Sequence, residues 1–201
     1  MLKVIGLTGN IASGKSSVSN ILKDLGAKII DMDDIAKEIQ NLNYRGVLDK
    51  IRETFGDSVF QNGNMLDRRA LGKIVFSNKN MLEKLNSIMI PVMTERLLEE
   101  LEKAKRKGFD VVIVDAAILI EANWDRFVDE VWVVYTPKEL QVRRLMEREN
   151  IDKELALERV SSQMPIEEKI KRANVVIDNS GDFNELRNKV LELWERVKSS
   201  T

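Results

Sequence analysis

The run Gly9-Asn10-Ile11-Ala12-Ser13-Gly14-Lys15-Ser16 sets two glycines, a lysine and a hydroxyl at the spacing that cradles a polyphosphate. Glycines let the backbone curl so that successive N–H groups point at phosphate oxygens. A helix opening behind the loop adds the positive end of its dipole. Lys15 can then reach the outer phosphates of a nucleoside triphosphate, and the Ser16 hydroxyl is the candidate Mg²⁺ ligand. Gly9, Asn10, Ile11, Ala12, Ser13, Gly14, Lys15, Ser16 and Ser17 are therefore the candidate nucleotide-binding residues. A regulatory GTPase would also need a guanine-reading Asn-Lys-x-Asp. The near match, Asn78-Lys79-Asn80-Met81, lacks the acid.

Residues that end buried parallel strands gather at one edge of a sheet, where ligands bind. Thr8-Gly9, Asp31-Met32-Asp33, Asp115, Thr136 and Asp178-Asn179 hold such positions. One acid there could take the proton of an attacking hydroxyl, and another could position Mg²⁺ directly or through water. Asp33 is the candidate base, the alternative being that it caps a helix over Asp34–Leu42. Asp31 also reads as a turn residue. Asp115 reads either as a metal helper or as an acid that orders the phosphate loop. Further on, Arg144 and Arg148 stand four apart on one helical face, with Arg159 and Gln163 after them. On a lid they would reach a transferring phosphoryl group, whereas on a solvated face they would pair with glutamates.

What is missing narrows the chemistry. The 201 residues contain no Cys and no His, which excludes disulfides, a Cys nucleophile, a Ser-His-Asp triad and zinc–histidine sites. Acid–base work falls to Asp, Glu, Lys or Tyr. Lys+Arg number 32 and Asp+Glu 33, a balance that argues against a nucleic-acid partner. No apolar run approaches the roughly 18 residues that would span a bilayer. Met1–Gly6 passes straight into a strand pattern, which predicts no signal peptide and a cytoplasmic protein. Nothing in the sequence bears on oligomeric state.

The elements that must position these residues alternate in type. Short apolar runs at Val4–Leu7, Ala27–Ile30, Val111–Val114, Val131–Tyr135 and Val175–Ile177 read as strands buried on both faces. Helical patterns cover Lys15–Leu25, Pro137–Arg148 and Phe183–Lys198. The pattern predicts an α/β fold of three layers around a five-stranded parallel sheet. Asp31–Asp110 is too long for one crossover and reads as several helices without a good strand, hence a helical subdomain. The expected divisions are a nucleotide-binding core from 1–32, 108–148 and 174–201, an acceptor-binding helical insertion over 33–107, and a lid over 149–173.

In order along the chain, further segments resemble those of dephospho-CoA kinases, a family of P-loop small-molecule kinases. Ile5-Gly6-Leu7-Thr8-Gly9 leads into the phosphate loop, and Asp31-Met32-Asp33-Asp34-Ile35-Ala36 is similar to the family's Asp-Ala-Asp-x-Ile-Ala. Leu66-Asp67-Arg68-Arg69-Ala70-Leu71 resembles Leu-Asp-Arg-x-x-Leu, and Gln141, Arg144 and Arg148 fit Gln-x-x-Arg-x-x-x-Arg. Arg159 and Gln163 fit Arg-x-x-x-Gln, and Val176-Ile177-Asp178-Asn179-x-Gly181 fits the closing strand and loop. The phosphate loop is shared by many families, whereas the ordered set is specific.

The resemblance implies transfer of the ATP γ-phosphoryl group to the 3′-hydroxyl of dephospho-CoA, giving CoA, with ATP and Mg²⁺ as cofactors. It implies Lys15, Asp33, Arg144 and Arg148 as catalytic residues, with Asp33 facing the 3′-hydroxyl. It also places Asp67 and Arg68 in the acceptor site beside Thr8, Asp31 and Asp115, and Asn179 and Gly181 near adenine. Ile90-Pro91 stands where the family usually has His-Pro, and Ala117-Ile118-Leu119-Ile120-Glu121 where it has Pro-Leu-Leu-Phe-Glu. Asn10 and Ala12 replace common loop glycines, and Asn174 replaces a common Asp. The competing readings are a nucleoside or nucleoside monophosphate kinase, and a nucleotide-binding adaptor with no chemical acceptor.

Overall fold

The computed structural model describes residues 2–61 and 63–199. The chain runs β1 (Lys3–Gly9), α1 (Lys15–Asp24), β2 (Lys28–Asp31), α2 (Met32–Asn41) and α3 (Val47–Phe55). A hairpin follows, β3 (Phe60–Gln61) with β4 (Met65–Leu66), then α4 (Arg68–Phe76) and α5 (Lys79–Arg106). The chain continues through β5 (Val111–Asp115), β6 (Glu130–Tyr135), α6 (Lys138–Glu149), α7 (Lys153–Ser161), α8 (Ile166–Lys171), β7 (Val175–Asp178) and α9 (Phe183–Ser199).

All five apolar runs are strands of one sheet, in the order β2-β5-β1-β6-β7 and parallel throughout. β5 is buried at every residue, as a strand covered on both faces must be. The period of two sorts its side chains. Ile5 and Leu7, Val111 and Ile113, and Trp132 and Val134 face a core shared with Val18, Ile21 and Leu22 of α1 and with Leu186, Val190, Trp194 and Val197 of α9. Each fully buried Val, Leu or Ile of this kind contributes roughly 1.5–3 kcal/mol. On the other face Gly6 lets the chain beyond β5 approach closely, since a Cβ there would lie 2.6 Å from the Leu119 side chain.

Met32–Glu100 forms a compact unit of its own, and the rest of the described chain forms the other. The smaller unit is helical, as its length and pattern predict, but it also contains the β3–β4 hairpin. Strands of two residues carry no alternation to read. α2 opens at Met32, so Asp33 lies inside its first turn and does not cap a helix starting at Asp34. Among the described residues no helix is long and apolar enough to cross a membrane.

Candidate active site

β1 is the central strand, and its carboxyl end leads directly into the loop 10–14 and then α1. Ala12 (φ 58°) and Gly14 (φ 88°) turn the loop through the left-handed region. Conformation and packing both require Gly14, and packing alone requires Gly9. A Cβ on Gly14 would stand 2.0 Å from Asn179 Nδ2, and one on Gly9 2.8 Å from the Val134 carbonyl oxygen. α1 has no side-chain cap and no acid in its first turn. By contrast, Asp67 caps α4 and Asp152 caps α7. An N-terminus left in this way offers its first amides and dipole to an anion. Within the loop Asn10 Oδ1 and Ser13 Oγ are buried without a hydrogen-bond partner, and Ser16 is exposed.

Lys15 reaches back to Asp115 in an ion pair in which the carboxylate is buried. Asp115 ends β5 in register with Asp31 at the end of β2, so two acids sit side by side at the carboxyl edge. Thr8 Oγ1 donates to the Ala117 carbonyl oxygen at 3.1 Å, tying β1 to the chain leaving β5.

A buried polar cluster braces the loop from the other side. Asn179 Nδ2 donates to the Ser13 carbonyl oxygen at 2.7 Å, and the Thr136 hydroxyl lies 3.0 Å from the same oxygen. Gln141 Nε2 donates to the Thr136 carbonyl oxygen at 2.6 Å. Arg144 donates to the Asn179 carbonyl oxygen at 3.1 Å, and its Nη1 lies 3.9 Å from where a Gly14 Cβ would be. The two arginines of the expected pair therefore differ. Arg144 stands against the phosphate loop, whereas Arg148 is 56% exposed and pairs with Glu149 at 2.7 Å. Arg159 engages the same carboxylate. The Arg148 hydrogen bond, with Arg159 adding and burial opposing, holds the Glu149 carboxyl below its usual range.

The α7–α8 connection meets the loop directly. Ile11 N–H donates to Gln163 Oε1 at 2.6 Å, and Asn10 Nδ2 donates to the Met164 carbonyl oxygen at 3.2 Å. Ile11 and Ala12 pack on Val142, Leu145, Ala156 and Val160 of α6 and α7. Asn10 and Ala12, where glycines are common, thus join Ile11 in attaching the loop, Asn10 to the α7–α8 connection and Ala12 to α6 and α7.

A family model described as dephospho-CoA kinase matches residues 3–185. The chain belongs to the dephospho-CoA kinase family. It is 43% identical over 198 residues to the dephospho-CoA kinase of Carboxydothermus hydrogenoformans, covering 98% of this chain and 96% of that one. A solved structure from Thermus thermophilus, 33% identical, superposes with a TM-score of 0.80 and 97% coverage of both chains. The dephospho-CoA kinase of Campylobacter jejuni, 29% identical, gives 0.73 and covers both chains completely. The five-stranded parallel sheet and the phosphate loop are therefore those of a P-loop kinase.

Within this dephospho-CoA kinase family member, the smaller unit places Asp67 and Arg68 in bracing positions. Asp67 Oδ1 accepts from the Arg69 and Ala70 amides at 2.9 and 3.1 Å, and Gln61 donates to its other oxygen. The Ala70 amide first, then Gln61, hold the Asp67 carboxyl below its usual value. Arg68 donates to Gln40 Oε1 at 2.7 Å and Asn41 Oδ1 at 2.8 Å, closing the end of α2. Gly181 lies in the loop after β7, past Asn179.

Sequence reasoning missed Lys169. Its side chain is fully buried and donates to the Ala117 carbonyl oxygen at 2.6 Å and to Glu121 Oε1 at 2.9 Å. Burial pushes its pKa down, Glu121 pulls it up, and nearby Lys15 pushes it further down. The signal was in the helical period. Ile166, Lys169, Ile170 and Ala173 follow the i, i+3, i+4, i+7 spacing of one face, which puts a lysine on the inward side.

Proposed function

We propose that the chain transfers the γ-phosphoryl group of ATP, with Mg²⁺, to the 3′-hydroxyl of dephospho-CoA in the cytoplasm, giving CoA and ADP. The reading is carried by the uncapped phosphate loop of a dephospho-CoA kinase family member with Lys15, Asp115 and Arg144 gathered at it.

The acceptor oxygen bonds to the γ-phosphorus as the bond to the β,γ-bridging oxygen breaks, and the acceptor proton passes to a carboxylate. We assign that proton to Asp33, in the first turn of α2. The loop amides and Lys15 hold the triphosphate, with Lys15 exchanging Asp115 for phosphate oxygens. Thr8, Asp31, Asp67 and Arg68 serve the acceptor, and Asn179 and Gly181 the adenine side. Segment 149–173 acts as a lid, and its closure frees Arg159, which it carries, and Arg148, at the end of α6, from Glu149 for the transferring group.

The donor set fits Mg²⁺. Ser16 offers an exposed hydroxyl, and Asp31 and Asp115 end adjacent strands in register. No group of three acids or histidines forms a cage among the described residues. Mg²⁺ keeps several waters and binds through one or two protein ligands plus substrate phosphates, so none is required. When bound, it neutralises charge on the phosphates.

The test is turnover with ATP, with and without Mg²⁺, offering dephospho-CoA beside adenosine and nucleoside monophosphates. ADP and CoA forming together, only with dephospho-CoA and Mg²⁺, is the expected result. Phosphorylation of a nucleoside monophosphate instead, or ATP loss without an acceptor, overturns the reading.

A further inference from the structure

Lys169 is the one lysine among the described residues whose side chain is buried completely. An isolated buried ammonium is expensive, and well-packed apolar residues of similar volume often replace a buried ion pair with no loss of stability. A methionine could fill this space, so stability alone does not explain a charge here.

Its partners are more informative. The Ala117 carbonyl oxygen accepts from Lys169 at 2.6 Å and from Thr8 at 3.1 Å, two residues past the Asp115 that holds Lys15. Glu121 turns both carboxylate oxygens to Lys169, at 2.9 and 3.2 Å. Six residues before Lys169, Gln163 already holds the Ile11 amide of the phosphate loop. The stretch 163–169 therefore grips the phosphate loop at one end and the exit from β5 at the other. Two ammonium groups, Lys15 and Lys169, stand within electrostatic reach of each other, each with its own carboxylate.

We propose that Lys169 is a positioning residue for phosphoryl transfer: by engaging Ala117 and Glu121 together it keeps the Glu121 carboxylate from competing with phosphate for Lys15. The inference rests on the kinase reading of the phosphate loop. Without Lys169, Glu121 is left uncompensated at the exit from β5, where Lys169 had stood within electrostatic reach of Lys15. The field on Lys15 then gains a second carboxylate besides Asp115. Removing both charges returns the site to balance. A residue that only supports the fold would show its rescue in the melting temperature, with the ATP affinity of the folded single variant unchanged.

The test compares wild type, Lys169→Met, Glu121→Gln and the double variant. ATP affinity is measured by titration without acceptor, and kcat and KM with dephospho-CoA. Lys169→Met is expected to weaken ATP binding and lower kcat, each by about tenfold, as an unpaired charge in partly screened surroundings does. The double variant is expected within about threefold of wild type on both, and Glu121→Gln alone likewise. A Lys169→Met protein that binds ATP and turns over within about twofold of wild type overturns the proposal. So does a double variant no better than the single, or a Glu121→Gln with a tenfold loss. Should Lys169→Met not fold, a folded double variant with near-normal ATP affinity sustains the proposal, and one with tenfold weaker affinity overturns it. Wild-type inactivity on dephospho-CoA would instead count against the functional reading, and the acceptor-free titrations would still decide the role of Lys169.

Discussion

At the amino edge of the sheet, Glu130 accepts from Trp132 at 2.9 Å and from Arg196 at 2.7 Å, and pairs with Lys3 at 3.1 Å. Asp129 takes the Val4 amide, Asn174 takes the Val131 amide, and Lys198 meets Asp110. At the carboxyl edge the same residue types are arranged differently. α1 has no cap, Asn10 Oδ1 and Ser13 Oγ are buried without partners, and Arg144 and Lys15 lean on groups they can leave. Buried polar groups are ordinarily satisfied, and the exceptions mark places where a ligand completes the accounting. Ion pairs and side-chain hydrogen bonds occur at both edges. What separates them is that one edge is finished without a ligand and the other is not.

The comparison breaks first at Lys15. Lys15→Ala should leave the fold intact and cut kcat by about a hundredfold to a thousandfold, since a charge aimed at the transferring phosphoryl is lost. Steady-state turnover beside a circular dichroism melt checks it, and near-normal kcat would remove the phosphate loop from the chemistry.

Asp33→Asn comes next. It keeps the shape and one acceptor oxygen while removing the charge. The expected result is ATP affinity within a few-fold of wild type and kcat lower by roughly a hundredfold, about 2.7 kcal/mol at the transition state. If Asp31→Asn abolishes turnover while Asp33→Asn spares it, the base has been placed on the wrong acid.

Arg144→Ala and Arg148→Ala sharpen the contrast within one helix. Arg144 already rests against the loop, so its loss should both weaken ATP binding and lower kcat, by about tenfold each. Arg148 is parked on Glu149, and its loss should lower kcat with little change in ATP affinity. Equal effects of the two variants on affinity would mean that they act as one set from the start.

Much of this is legible in the sequence alone. The strands were buried apolar runs and the phosphate loop was a motif with its strand and helix in place, so the sheet and the loop followed from local pattern. The β3–β4 hairpin was not legible, because two-residue strands have no period, although Asn62-Gly63 is the dipeptide of tight hairpins. Nor was the split between Arg144 and Arg148, since i, i+4 spacing shows a shared face and not which end of it meets the loop. Lys169 was hidden for a related reason: a lysine among glutamates reads as surface until its apolar neighbours are counted. Asn174, a departure from the family's usual acid, needs no charge, because its amide oxygen takes the Val131 amide at 2.7 Å.

The smallest effect belongs to the amino edge, where Glu130→Gln should change stability and leave kcat untouched. Burial alone would raise the Glu130 carboxyl, but the Trp132 indole, Lys3 and Arg196 outweigh it and hold the group below the usual 4.5. A carboxyl depressed in the folded state contributes stability that is fully present above its unfolded value and is lost as pH falls through the folded one. At pH 7 the variant should therefore be less stable by about 1 kcal/mol, the scale of a partly exposed ion-pair network. In a chain of this length that corresponds to a melting temperature lower by about 2–4 °C. The gap should shrink as pH falls from 4.5 through the folded value, because the wild-type carboxylate then takes up its proton as well. Added salt should narrow it at neutral pH. Thermal melts from pH 3 to 8, run beside turnover at pH 7, make the comparison. A difference that does not depend on pH would mean the side chain acts through packing, and a fall in kcat would mean the finished edge is coupled to the unfinished one.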